Sequence, residues 1–345
     1  MIPIQNIYYM LSYAFQVLNE QGYKNIATEQ FNNTGELMAA ILEKGIAIQL
    51  KRGLGKEYIL QTEALSSLRG KIDIAESIKT QSMLRKQLIC TYDEFSVNSI
   101  MNRIIKSTVE LLLRSNISKQ RKKNLRKLMV YFSEVDFIDS YTVNWNVQYN
   151  RNNQTYRMLI SICYLVVKGL LQTQSNGHTE LMDFLDEQRM CRLYEKFILE
   201  YYRKEFKNQF TANASQIPWQ LDNEENSMLP VMQSDIMLQS GEKVLIIDAK
   251  YYEHSTQVQF DKHTLHSGNL YQIFTYVKNK EYELREKDHT VSGMLLYAKT
   301  DEEIYPNNVY QMSGNQITVR TLDLNLPFDE IAGQLNTIAK THFDL

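Results

Sequence analysis

Hydrophobic positions along this chain recur at helical spacing in some stretches and at strand spacing in others, and the two kinds alternate. The pattern predicts an amphipathic helix around Asn6–Leu18 and a second near Thr34–Leu50. Strand-like runs follow at Tyr58–Glu63, Gly70–Ala75 and Gln87–Tyr92, and a helix over Val97–Arg114 turns Ile100, Ile104, Val109 and Leu112 toward a core. Polar Asn146–Gln154 reads as a loop before a helix from Tyr156 to Leu171, with Leu159, Ile160, Cys163, Tyr164, Val167 and Leu170 on its apolar side. A loop at Thr173–Thr179 leads toward a long helix, Glu187–Asn208, striped by Leu193, Tyr194, Phe197, Ile198 and Tyr201. Val291–Ala298 reads as a central strand, Tyr305–Met312 and Gln316–Leu322 as edge strands, and Pro327 opens a closing helix that turns Ile331, Leu335 and Ile338 inward.

The richest stretch lies between these. Pro230-Val-Met-Gln-Ser-Asp235-Ile-Met-Leu is a short strand candidate, and Val244-Leu-Ile-Ile-Asp248-Ala-Lys250 is a buried-looking strand ending in Asp-x-Lys. Gln239-Ser-Gly-Glu242 between them reads as a hairpin turn. A paired hairpin brings two carboxylates and an ammonium to one sheet edge. Asp235 and Asp248, with the Ala249 carbonyl, form a hard-oxygen set suited to Mg²⁺, and Lys250 suits the stabilisation of a phosphorane. Asp-x-Lys alone is a weak signal, because a charged pair often ends a strand at solvent. A helix beginning near Ser267 adds Gln272 and Tyr276, which share one face at i and i+4.

Together these features resemble the PD-(D/E)xK nuclease superfamily, in particular its branch with a Gln-x-x-x-Tyr helix after the catalytic strands. That resemblance implies an acidic residue on an earlier helix, for which Glu195, bordering the apolar stripe of its helix, is the candidate. An ordinary surface glutamate is an equal reading. Further blocks resemble the McrC family of McrBC modified-cytosine restriction systems: Ile2–Ala14, Leu68–Asp73, Asn102–Thr108, Leu229-Pro230, Ile247–Tyr252 and Asn269–Tyr276. They run in the family's order from the first residue to the last third of the chain. The resemblance implies a Mg²⁺-dependent DNA endonuclease subunit acting on double-stranded DNA with modified cytosine. It also implies a separate McrB-like AAA+ GTPase hexamer as partner, which binds GTP and which this subunit stimulates. An N-terminal projection contacts the partner ring in that family, and glycine-rich Lys51–Lys71 is the candidate here, as a projecting hairpin. By sequence alone a solvated β-loop fits that segment better.

Composition narrows the alternatives. With 43% hydrophobic residues, 13 glycines and 5 prolines, the chain is globular. A net charge of −2 lacks the basic excess of a stand-alone DNA binder, which suits a subunit brought to DNA by a partner. Six cations nevertheless crowd Ser118–Lys127, with Leu125 and Leu128 facing inward at helical spacing. That run reads first as a solvated helix face, and second as a contact for DNA phosphates or an acidic partner. Cys90, Cys163 and Cys191 lie far apart, which fits reduced intracellular thiols and supplies no iron–sulfur cluster. The longest apolar run, Met158–Val167, is too short to span a bilayer, so the expected location is the cytoplasm, with no membrane partner.

Two other chemistries find little support. His254, His263 and His266 match no strong zinc spacing and read as a polar loop near the site. Gly53-Leu-Gly55-Lys56-Glu57 lacks the first glycine and the Ser/Thr of a phosphate-binding loop, so GTP hydrolysis belongs to another chain. The expected fold class is α+β. A mixed helix/β domain over 1–150, the candidate partner-binding region, precedes an α/β PD-(D/E)xK core over 151–345. Two function classes follow: a catalytic nuclease subunit, or a non-catalytic regulator of the GTPase with a vestigial site. The intact Asp…Asp-x-Lys set favours the first.

Overall fold

The computed structural model describes residues 2–345 except 16–17, 19–22, 24–25, 27–28, 30, 32, 140–141, 152, 176–186, 224–227, 253–256, 260–261 and 300–304. Its elements in order are α1 (Ile4–Ala14), α2 (Thr34–Arg52), β1 (Glu57–Leu65), β2 (Lys71–Asp73), α3 (Ile74–Lys79), β3 (Leu88–Ser96), α4 (Ile100–Arg114) and α5 (Lys119–Met129). Then come α6 (Tyr156–Ser175), α7 (Glu187–Glu205), β4 (Thr211–Asn213), β5 (Gln216–Ile217), β6 (Met232–Gln233), β7 (Ile236–Ser240) and β8 (Lys243–Lys250). The chain closes with β9 (Gln257–Gln259), β10 (Lys262–Thr264), α8 (Ser267–Glu283), β11 (Thr290–Ala298), β12 (Asn308–Met312), β13 (Asn315–Leu322) and α9 (Phe328–Phe343). Helices and a mixed sheet make this an α+β architecture. Among the described residues no helix is long and apolar enough to cross a membrane.

The chain forms two compact units, one of Met1–Ala27 with Leu185–Leu345 and one of Thr28–Phe184. The boundary expected near 150 is therefore displaced at both ends, and packing explains why. Asn6 on α1 donates through its side chain to the Leu324 and Leu326 carbonyls at 2.7 and 2.8 Å, and Tyr9 stacks on Phe328 at 4.4 Å. The first helix is thus tied to the approach to α9. Conversely, α6 buries Leu159, Ile160, Ile162, Cys163 and Val166 while packing on α2 and α4, and so belongs with the N-terminal helices.

In the Thr28–Phe184 unit, α2, α4, α5 and α6 surround a core that includes Leu37, Ile41, Ile104, Val109 and Leu112. Side-chain caps start several of these helices: Asn33 accepts from Glu36 N–H, Ser99 from Asn102 N–H and Ser118 from Arg121 N–H. The attached sheet runs β1-β3-β2, all antiparallel. This corrects the hairpin expected across Lys51–Lys71, because β1 pairs along its whole length with β3 and not with β2. Its root is held by a polar knot. Asn102 donates to the Gly55 and Val97 carbonyls at 2.9 and 2.8 Å, while the Tyr156 hydroxyl accepts from Gly55 N–H and donates to Asn102 Oδ1, both at 2.7 Å.

The other unit is built on a six-stranded sheet in the order β12-β13-β11-β8-β7-β4. β8, β11 and β13 are parallel to one another, and β12, β7 and β4 run antiparallel to their neighbours. β13 was expected at an edge, but it lies inside, because its parallel pairing with β11 leaves β12 outermost. Parallel neighbours bury both faces of a strand, which is why β8 and β11 read as near-continuous apolar runs. α8 packs on one face over Val244, Ile246, Val291, Leu295, Ile317 and Val319. Gly293 permits that approach, since a side-chain carbon there would stand 2.8–2.9 Å from atoms of Ile273, Ile317 and Val277. α9 contacts β13 and is tied to α7, whose Tyr202 hydroxyl donates to the Leu335 carbonyl at 3.0 Å.

Candidate functional site

The site grows from the β7–β8 hairpin. Ser240 pairs with Lys243, so Gly241 and Glu242 alone make the turn, with Gly241 at φ 59°. A two-residue turn of this kind needs the left-handed conformation that glycine adopts without strain. The turn fixes the register, in which Ile236 lies opposite Ile247. One step further on, Asp235 stands opposite Asp248. Its Oδ2 accepts a hydrogen bond from the Ala249 N–H at 2.9 Å.

Alternation along β8 sends Val244 and Ile246 into the α8-facing core. Asp248 and Lys250 continue that face beyond the apolar positions. Asp248 is only 1% exposed. The Lys250 ammonium donates to Asp248 Oδ1 at 3.0 Å and lies 2.9 Å from Oδ2. Asp248 Oδ2 nonetheless receives no hydrogen bond of good geometry, so a buried carboxylate oxygen remains unsatisfied. Burial pushes the Asp248 carboxyl up to about 7; Lys250 opposes the shift and nearby Asp235 adds to it. Burial works against the charge of Lys250, yet Asp248, hydrogen-bonded to it, raises its pKa overall. The ammonium therefore persists at neutral pH.

α8 supplies the next layer. Lys250 Nζ reaches Gln272 Oε1 at 3.4 Å, and Gln272 Nε2 donates to the Tyr276 hydroxyl at 2.9 Å. The i, i+4 spacing thus makes a relay from the sheet edge onto the helix face. Asn269, one turn earlier, donates to the Tyr297 hydroxyl at 3.0 Å and accepts from Tyr252 at 3.3 Å. Tyr297 lies opposite Lys250 in the β8–β11 pairing. This Tyr252–Asn269–Tyr297 chain pins the start of α8 to the sheet.

Glu195 stands on α7, whose Leu193, Tyr194, Phe197, Ile198 and Tyr201 are buried. It shares a cleft of ≈ 390 Å³ with Asp235, lined also by Arg192, Lys196, Gln233 and Ser234. Burial raises the Glu195 carboxyl, and Asp235 raises it further. The Cys191 thiol donates to Glu195 Oε1 at 3.0 Å and lies 4.0 Å from the Ala249 carbonyl. Burial, and then Glu195, push that thiol up to about 12.

Asp235, Asp248, Lys250, Gln272 and Tyr276 are thus joined through direct hydrogen bonds and the intervening Ala249 amide, with Glu195 across a cleft from Asp235. Cys191, Tyr252, Asn269 and Tyr297 are the residues that sequence reasoning did not single out. Asn269 stood in a quoted block and Cys191 one turn before Glu195, but neither spacing alone points to a partner. Among the described residues no three His, Cys, Asp or Glu side chains gather as a ready metal cage. Two carboxylates with an unsatisfied oxygen fit instead a cation that keeps most of its water. His254 lies outside the described residues, as does the side chain of His263, while His266 precedes α8 with its ring 5.4 Å from that of Tyr252.

The family model of the McrBC 5-methylcytosine restriction system component matches residues 5–298. The chain is 30% identical over 331 residues to the type IV methyl-directed restriction enzyme EcoKMcrBC of Escherichia coli (strain K12), covering 94% of this chain and 93% of that protein. It is similar to a chain in a refined half-complex from a tetradecameric assembly of Thermococcus gammatolerans McrB AAA+ hexamers with bound McrC. That likeness has 18% identity and a TM-score of 0.48 over 97% of this chain and 76% of that one. A second likeness, to the cryo-EM structure of the Thermococcus gammatolerans McrBC complex, has 21% identity and a TM-score of 0.42 over 59% of each chain.

Proposed function

The chain belongs to the McrBC 5-methylcytosine restriction system family, and on that premise we propose that it is the Mg²⁺-dependent, DNA-cleaving subunit of such a system, with a PD-(D/E)xK core. The observation that carries the reading is the buried Asp248, paired to Lys250 at 2.9 Å and placed beside an Asp235 that is locked to Ala249. A structural ion pair needs no second carboxylate. Burying one there raises the energy of the first, a cost that metal binding offsets.

Asp235 and Asp248 would hold the cation, with the Ala249 carbonyl as a further oxygen ligand. When bound, Mg²⁺ polarises the scissile phosphate and makes a coordinated water a better nucleophile. Asp248 would offer Oδ2, which has an ion-pair contact with Lys250 but no hydrogen bond of good geometry, and Asp235 would offer the oxygen that does not accept from Ala249. Lys250 acts as a fixed cation, because its raised pKa leaves it no free electron pair with which to take a proton at neutral pH. Its ammonium offsets the charge that grows on the non-bridging oxygens as the phosphorane forms. Gln272 holds Nζ in place, and Tyr276 holds Gln272. Glu195, raised by burial, accepts a proton more readily than an exposed glutamate and completes the acidic side of the cleft.

GTP binding and hydrolysis fall to a McrB-like AAA+ partner, which also reads the modified cytosine. The three-stranded sheet β1-β3-β2, with Tyr58, Leu60 and Phe95 exposed at 74%, 67% and 55%, is the contact surface for that ring. The reading is tested by incubating methylated and unmethylated plasmid with this protein, with and without the partner, Mg²⁺ and GTP. Cutting that requires all of them and the methylated DNA is the expected result. Activation of the partner's GTPase with no cutting under any condition would favour the regulator reading.

A further inference from the structure

α5 separates its residues onto two opposite sides. At about 100° per residue, Lys119, Lys122, Lys123, Arg126 and Lys127 fall within roughly a 140° arc. Arg121, Asn124, Leu125 and Leu128 occupy the opposite arc. The inner arc is locked in place: Leu125 is fully buried. The Arg121 side chain is 16% exposed and reaches Glu29 at 2.8 Å, Glu43 at 2.9 Å and Glu36 at 3.5 Å. Asn124 donates to Glu43 at 2.9 Å, and Glu36 accepts from both the backbone and the hydroxyl of Ser118 at 2.8 Å. These contacts fix the roll of the helix, so the outer cations point where they do by construction.

Three carboxylates surround the one cation that turns inward, while among the described residues no ion pair joins any of the five that turn outward. Ser118–Met129 contains no acid, although the chain has 40 acids against 38 bases. A merely solvated helix gains from interleaved i, i+4 ion pairs. This one instead sets Lys119 against Lys123, Lys122 against Arg126 and Lys123 against Lys127, like-charge pairs that each destabilise an isolated helix. Its first turn carries cations and no acid, the sign that opposes the helix dipole, whereas Arg126 and Lys127 in the last turn suit it. The like-charge spacing along the outer face is unfavourable in the free protein, and a polyanion removes that penalty.

We infer that the outer face of α5 is a docking surface for the phosphate backbone of duplex DNA. From Lys119 to Lys127 the face extends about 12 Å along the helix, enough to follow about three phosphates of one strand. Lysines dominate it, and they bind phosphate as point charges; phosphate contacts fix position and carry no sequence information, so the contact is independent of sequence. Val130 and Tyr131 follow the last cations and are 71% and 66% exposed, an apolar margin beside the charges. The inference rests on reading this chain as a DNA-directed subunit, and it adds where the duplex is held.

The test is fluorescence anisotropy of an unmodified labelled duplex with the full-length protein, without Mg²⁺, from low to physiological salt. The variant carries Lys119→Ala, Lys123→Ala, Arg126→Ala and Lys127→Ala together. Affinity at low salt is expected to fall at least tenfold, and the slope of log K against log salt to become shallower by about 0.9 for each phosphate contact removed. Thermal melting should be unchanged or slightly higher, because repulsion is relieved. The milder Lys123→Gln, Lys127→Gln pair should show about half the change in slope. Unaltered affinity and slope in both variants would overturn the inference, as would intact DNA binding with lost stimulation of the partner, which would assign the face to a protein. Cleavage is scored separately. Wild-type protein that binds through this face yet never cuts would remove the nuclease reading and leave this one standing.

Discussion

Asp235 and Ala249 are joined by a 2.9 Å hydrogen bond in which a side-chain oxygen from the start of β7 accepts the amide between Asp248 and Lys250. The bond sets the two carboxylates and the ammonium at one sheet edge and still leaves Asp235 an oxygen for a cation. It also separates two roles of Asp235 that substitution can tell apart. Asp235→Asn keeps an acceptor and removes the charge, so it should melt like wild type and cut no DNA. Asp235→Ala should lose the same activity together with about 1 kcal/mol of stability from the missing hydrogen bond. Plasmid cleavage with the partner, Mg²⁺ and GTP, alongside thermal melting, measures both. Wild-type cutting by Asp235→Asn would detach Asp235 from the chemistry.

Lys250→Ala and Asp248→Ala should each abolish cleavage in a folded protein. They differ in what remains. Without Asp248 a part-buried ammonium loses its counter-charge, and without Lys250 a buried carboxylate does. Tyr276→Phe removes only the donor–acceptor pair that orients Gln272, so a loss of roughly 10- to 100-fold is expected, as for residues that position a ligand and do not contact it. Single-turnover cleavage rates distinguish these grades. A Tyr276→Phe protein as inactive as Lys250→Ala would require direct substrate contact by the hydroxyl.

The raised Asp248 pKa carries a sign. In the folded, metal-free protein the carboxyl holds its proton up to about 7, whereas the unfolded chain releases it in the ordinary carboxylate range. The folded state thus binds more protons between those values, and the contribution of Asp248 to stability is full at low pH and lost as pH rises through about 7. Thermal melting in chelator should therefore show a fall between weakly acid and weakly alkaline pH that Asp248→Asn lacks. Millimolar Mg²⁺ should reverse the fall at the alkaline end, because it binds the ionised form. An identical pH profile for Asp248→Asn would contradict the assignment.

Local pattern carried the site further than it carried the fold. The register of Asp235 against Asp248 follows from a two-residue turn and the period of a strand, both written between those two residues. That Gln272 and Tyr276 share a face follows from helical spacing, and the family resemblance pointed to them as site residues. What stayed hidden depends on contacts between distant segments. Nothing near Gln316 announces a parallel partner in β11, so an interior strand read as an edge. Asn6 satisfying carbonyls at 324 and 326 moves the first helix into the last unit, and no window of sequence contains both partners. Arg121 looked like its neighbours, and only the fold reveals the three glutamates that turn it inward.

Catalytic variants should still stimulate GTP hydrolysis by the partner, since an allosteric contact needs its own surface and the proposed role of the Asp-x-Lys residues is to hold metal and DNA. The contact proposed above is the β1-β3-β2 sheet. There Lys56 lies 5.8 Å above the Phe95 ring and Arg69 4.2 Å above that of Tyr92, so each cation stands beside aromatic surface. Lys56→Glu with Arg69→Glu should lower stimulation at least tenfold while shifting stability little, because exposed charges contribute little to folding. GTPase rates at saturating partner give the answer. Full stimulation by this double variant would move the contact elsewhere.

The isolated protein should be a poor nuclease even with Mg²⁺. A net charge of −2 gives little long-range attraction to a polyanion, so binding rests on a local basic face and fades as salt rises. The metal-free site disfavours the form it needs, because Asp248 stays partly protonated near neutral pH until a cation binds. A ring that held DNA against the subunit would raise the effective concentration of the scissile phosphate and so supply the missing attraction. Such dependence would also protect the host, since a subunit that waits to be presented with marked DNA would leave unmarked DNA alone. Purified protein, Mg²⁺ and plasmid at low salt, where weak electrostatic binding is strongest, make the most permissive trial. Little cutting there, and at least a hundredfold increase on adding partner and GTP, is the expected result; efficient partner-free cleavage would make this chain an autonomous nuclease.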